Sequence, residues 1–129
     1  MVRVGAVIWT SSRVQELIDF YKLLGIYLAA DTHAEPGGTP HFEADIGGVH
    51  YAVFPAKDSA PQGDLGSGPG STAGGTMLGF AVDNIVELSA ELHTRGVKFR
   101  TPLQDTPWGK RVVVFDPDGR PLEIYQAPE

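Results

Sequence analysis

The chain aligns with itself, without a gap, at an offset of 71 residues, and this most constrains what it can fold into. Glu16-Leu17 falls on Glu87-Leu88, Gly25 on Gly96, Pro36 on Pro107, Gly38 on Gly109, Asp45 on Asp116, Gly48 on Gly119 and Ala56 on Ala127. Val14 and Ile85, Ile26 and Val97, Val53 and Ile124, and Phe54 and Tyr125 agree in chemistry. Chance aligns a few glycines, but it rarely keeps helix, turn and strand signals in one register. A fixed internal period dictates an architecture of repeated units.

Each copy reads as a strand, a helix and three short strands. Residues 2–10 are an apolar run rich in β-branched and aromatic side chains, which predicts a strand. Ser12 offers an N-cap and Gln15 completes a capping box. Val14, Leu17, Ile18, Tyr21 and Leu24 follow at helical spacing, and Gly25 is a natural stop. In the second copy, 77–82 is the strand, Asp83 the cap, Ile85, Leu88 and Leu92 the apolar stripe, and Gly96 the stop. The remaining strands are expected at 27–31, 41–44 and 50–54, and at 98–101, 111–115 and 122–126. Asp116-Pro117-Asp118-Gly119 and Ile46-Gly47-Gly48 supply turn chemistry. Residues 63–75, rich in glycine and serine, read as a tether or exposed loop. The expected organisation is one α+β domain over 1–129: module one at 1–62, a linker at 63–75 and module two at 76–129.

Composition narrows the function classes. The 129 residues, 42% hydrophobic and 20% charged, suit one globular domain with a modest core. With no cysteine, disulfides and thiolate metal sites are excluded. A formal net charge of −6 makes nucleic acid a poor partner and favours a cationic ligand, although mild acidity also simply aids solubility. No leader pattern opens the chain, and no apolar run approaches the roughly 20 residues of a membrane span. A cytoplasmic protein without membrane partners is the expectation.

The tandem βαβββ pattern, Phe20-Tyr21 and Leu24-Gly25 in the first helix, Trp108-Gly109, Phe115-Asp116-Pro117-Asp118-Gly119 and Leu122-Glu123-Ile124 resemble the vicinal oxygen chelate superfamily. This is the glyoxalase, bleomycin-resistance protein and extradiol dioxygenase group. The resemblance implies a curled mixed-sheet cleft and a homodimer, leaving open whether modules pair within or between chains. It also implies metal ligands on the first and last strand of each module. Those positions are here Ala6, Ala52, Met77 and Glu123. Alanine has no donor and methionine is a soft ligand, so one carboxylate remains where a catalytic divalent cation takes about three protein ligands. No metal and no other cofactor is therefore expected.

Strand alternation puts Val4, Ala6, Ile8 and Thr10 on one face, His50, Ala52 and Phe54 on another, and Glu123 with Tyr125 on a third. Trp9, Phe80 and Val82 take the opposite parity, under the helices. The expected ligand-binding residues are Ile8, His50, Ala52, Phe54, Met77, Trp108 and Tyr125, with Glu123 as a catalytic acid or base, or as a partner of a ligand cation, Arg111 or Arg120. His33, His41, His50 and His93 show no close ligand spacing; His93 lies late in the second helix, and the sequence does not fix the face of His41. The leading expectation is a metal-free small-molecule-binding protein. Two alternatives stay open: a lyase or dioxygenase using irregular ligands such as His41 or His50, and a metal-independent isomerase using Glu123.

Overall fold

The computed structural model describes residues 1–31, 40–56 and 76–129. His33 and the 63–75 segment lie outside the described residues. The chain divides into two compact units, Met1–Ala60 and Pro61–Glu129. The first contains β1 (Ala6–Ser11), α1 (Val14–Leu23), β2 (Ala29–Ala30), β3 (Phe42–Ile46) and β4 (Val49–Pro55). The second contains β5 (Leu78–Ala81), α2 (Ile85–Thr94), β6 (Phe99–Thr106), β7 (Gly109–Phe115) and β8 (Pro121–Gln126). Both units are βαβββ, with sheet orders β1-β4-β3-β2 and β5-β8-β7-β6. In each, the first strand runs parallel to the last and the other pairings are antiparallel.

Alternation along β1 buries Trp9 and Ser11 and leaves Ala6, Ile8 and Thr10 exposed. Trp9 is core: its ring stacks on Tyr21 of α1 at 4.3 Å and on Tyr51 of β4 at 5.8 Å. Leu17, Phe20 and Tyr21 form the buried stripe of α1, whereas Val14, Ile18 and Leu24 are only half-buried. In the second unit Ile85, Leu88 and Leu92 pack over Val112, Val114, Leu122 and Ile124, all buried.

Both helix starts depart from the sequence expectation. Arg13, not Ser12, is the N-cap of α1, and Ser11 Oγ accepts a bond from the Arg13 N–H at 2.8 Å. Gln15 bonds Asp19 at 3.0 Å rather than closing a capping box. Asn84, not Asp83, precedes α2, and the Ile85 N–H is satisfied by Gln126 Oε1 at 2.8 Å. The cap comes from 41 residues away, which no local pattern announces. Both helices stop where glycine adopts a left-handed backbone, at Gly25 (φ 86°) and Gly96 (φ 79°). The 98–101 strand is longer than the sequence suggests, running as β6 into a hairpin with β7 across Pro107-Trp108.

The turn from β7 to β8 hangs on a buried carboxylate. Asp116 Oδ1 accepts from the Asp118 N–H (2.9 Å) and the Arg120 N–H (3.0 Å), and Oδ2 pairs with Arg120 Nη1 at 3.1 Å. Burial pushes the Asp116 carboxyl above its ordinary value of 3.8, outweighing the bonds and charge of Arg120 that pull it down. The folded state thus holds its proton at pH values where the unfolded state has lost it. This group therefore removes stability as pH rises from its unfolded value through its folded one. Urea unfolding of the wild type and Asp116→Asn from pH 3.5 upward is expected to show the wild type losing ground relative to the variant across that window. A gap that stays constant or moves the other way contradicts this assignment.

Candidate functional site

Each sheet has one face covered by its helix and one turned away. In the first unit the register sets Ala6 beside His50, Ile8 beside Ala52 and Thr10 beside Phe54 on the open face. Ile8 is 63% exposed, while Ala52, between Ile8 and Glu43, is buried. Phe54 stacks on the His41 ring at 4.5 Å.

The same pairing brings a polar cluster onto this face. Glu43 lies opposite Ala52 and Asp45 opposite His50. His41 Nε2 lies 3.4 Å from Asp31 Oδ2 and 3.2 Å from Glu43 Oε2. His50 reaches Glu43 Oε2 through Nε2 at 3.3 Å and Asp45 Oδ1 through Nδ1 at 2.9 Å. Sequence reasoning named His50 and weighed His41 but passed over Asp31, Glu43 and Asp45. The signal was present: His41, Glu43 and Asp45 recur every second residue, which in a strand is one face.

In the second unit Gly79 lies beside Glu123 and Ala81 beside Tyr125. Glu123 Oε2 accepts from Arg111 Nε at 3.1 Å and Nη2 at 3.0 Å. Of the two arginines considered for it, Arg120 instead holds Asp116 and Asp118. A β-carbon on Gly79 would lie 4.0 Å from Glu123 Oε1, so the missing side chain leaves the carboxylate uncovered. Tyr125 is partly exposed, Met77 is half-buried just before β5, and Trp108 stands 72% exposed on the β6–β7 turn. His93, at the end of α2, is exposed and meets Phe99 edge-on. An open apolar groove between α2 and β6, lined by Val86, Ala90, Val97 and Leu103, contains none of the expected binding residues.

These arrangements define a class of duplicated βαβββ proteins with open sheet faces. The chain belongs to the glyoxalase/bleomycin resistance protein/dioxygenase superfamily, whose family model matches residues 3–124. It is similar to the uncharacterized protein YwkD of Bacillus subtilis (strain 168), 26% identical over 110 residues that cover 80% of this chain and 79% of that one. Among solved structures, it is similar to a glyoxalase/dioxygenase from Nostoc punctiforme (TM-score 0.76, 19% identity, 98% of this chain and 92% of that one). It is also similar to TnmS3, an antibiotic binding protein from Streptomyces sp. CB03234 (TM-score 0.65, 23% identity, 99% and 98% covered). Among the described residues no helix is long and apolar enough to cross a membrane.

The donor set does not fit the metal that the family resemblance implies. Ala6 and Ala52 offer no donor atom, Met77 offers a thioether, and the Glu123 carboxylate is already held by Arg111.

Proposed function

We propose that this protein binds a flat or bulky organic molecule on the open sheet face of its second unit, without a metal at Ala6, Ala52, Met77 and Glu123. The observation that carries the reading is what that face presents: partly exposed Tyr125 beside the small residues Gly79 and Ala81, with the arginine-balanced Glu123 carboxylate. Small residues leave volume, aromatic rings supply stacking, and a single charged pair supplies orientation. The Glu123–Arg111 pair can bond a polar group of the ligand, and the net charge of −6 favours a ligand with a basic nitrogen. The fold shared with an antibiotic binding protein agrees with this reading.

The test is thermal shift and titration of chelator-treated protein with a panel of basic aromatic natural products. At least one compound is expected to raise Tm and bind with a micromolar or tighter Kd. Tyr125→Ala should weaken that binding about tenfold, roughly 1.4 kcal/mol, with the far-UV spectrum unchanged. If no compound binds the metal-free chain, and added divalent metal instead elicits lyase or ring-cleaving turnover, the reading fails.

A further inference from the structure

The polar cluster of the first unit is not accounted for by the organic-ligand reading. His41 Nε2 carries at most one hydrogen, yet carboxylate oxygens of both Asp31 and Glu43 face it, at 3.4 and 3.2 Å. On His50, a carboxylate such as Asp45 only accepts, so Nδ1 carries the hydrogen of the 2.9 Å contact. Its Nε2 meets Glu43 Oε2 at 3.3 Å, so the Glu43 carboxylate stands between two imidazole rings.

Imidazole and carboxylate donors converging on one point are the arrangement that a cation organises. From this juxtaposition of Asp31 just after β2, His41 just before β3 and Glu43 on β3, backed by the His50–Asp45 pair, we infer a binding site for one divalent first-row transition cation.

The donor spacing supports this. The Asp31, His41 and Glu43 ligand atoms lie within 4.8 Å of one another. Adjacent donors around one ion with bonds of about 2.1 Å stand roughly 3.0–3.5 Å apart, which the two His41 distances match. The side chains are half-buried, at 11%, 17% and 29% exposure, which leaves the carboxylates partly shielded from water and still reachable by a cation. The His41 ring is held by its stack on Phe54. Asp45 on His50 Nδ1 orients the ring whose Nε2 meets Glu43 Oε2, so the pair positions that carboxylate from behind. Mixed nitrogen and oxygen donors suit Zn²⁺ or Mn²⁺ better than Mg²⁺ or Ca²⁺, which prefer oxygen alone. The site lies where β2 ends and β3 begins; Glu43 pairs with Ala52, but no donor comes from the four strand positions that the family resemblance singles out, and the site does not depend on the organic-ligand reading.

The experiment is calorimetric titration of the chelator-treated full chain with Zn²⁺, with Co²⁺ added in parallel to read the visible band of a nitrogen-ligated ion. One ion per chain is expected, with a micromolar or tighter Kd. His41→Asn and Glu43→Gln, both checked for folding by circular dichroism, should each weaken binding by about 30-fold or more. His50→Gln should weaken it about tenfold through lost positioning. His93→Asn, on the exposed end of α2, should leave it unchanged. Substoichiometric uptake, no Co²⁺ band, affinity that survives His41→Asn or Glu43→Gln, or an equal loss in His93→Asn each overturns the assignment. Binding of the aromatic panel to the metal-free chain is scored separately, so either reading can fail without the other.

Discussion

Gly109→Ala is expected to destabilise the second unit by more than about 3 kcal/mol, a large share of the stability of a chain of this size. Gly109 sits at φ 129°, outside the backbone range that a side chain tolerates. A β-carbon there would run into the carbonyl oxygen of Gln126 and lie 3.1 Å from Ala127 Cα. Both obstacles are backbone, so neither can swing aside. Moving Gln126 also withdraws its Oε1 from the Ile85 N–H, which begins α2. One methyl group therefore strains the β6–β7 hairpin, disturbs the end of β8 and uncaps a helix. Gly96→Ala is the control: its φ of 79° is also left-handed, but an added β-carbon meets nothing within 4 Å. That variant should lose only about 1 kcal/mol by urea unfolding. Similar losses for the two would mean that the approach to β8 is not what reserves position 109 for glycine.

Trp9→Ala is expected to cost about 3–5 kcal/mol, the range for removing a buried large aromatic. Trp9 is 5% exposed and bridges all three layers of contact in its unit: its own strand, Tyr21 on α1 and Tyr51 on β4. The hole cannot be filled cheaply, because the flanking rings are themselves packed and Leu17 and Val53 beside them are fully buried. Urea unfolding should show a lower midpoint with loss of near-UV dichroism. Ile8→Ala on the same strand, pointing the other way, should change stability by well under 1 kcal/mol, since Ile8 is 63% exposed. A Trp9→Ala loss below about 1 kcal/mol would show that this face of β1 is not core.

Much of this architecture is legible in the residues themselves. The offset of 71 finds two βαβββ units, glycines mark both helix ends, and alternation separates Trp9 from Ile8. Each of these signals is local, a spacing along one strand or one helix turn, so it survives without knowledge of the neighbours. The capping of α2 by Gln126 is invisible at that level, as is the choice of Arg111 over Arg120 for Glu123. Both depend on which strands lie side by side.

The repeat that fixes the plan also hides the cluster on the first unit. The offset keeps the parallel pairing intact: Ile8 meets Ala52 as Gly79 meets Glu123. It does not keep the next pairing. Ala52 lies opposite Glu43, whereas Glu123 lies opposite Val113, one position short of Val114, the residue 71 beyond Glu43. The reason is the connection. β3 and β4 join through the Gly47-Gly48 turn, while β7 and β8 join through Asp116 to Arg120, built on the Asp116 carboxylate. Two linking residues against five give a one-residue slip, and in a strand one residue exchanges the faces. Val114 is buried under α2, and Glu43 stands on the open face between two histidines. The sequence by itself determined the two units, their strands and helices, and the missing donors at Ala6 and Ala52. Only tertiary pairing decided which way β3 faces, because face parity is set by the length and bonding of a turn, and with it the meeting of Asp31, His41, Glu43 and His50.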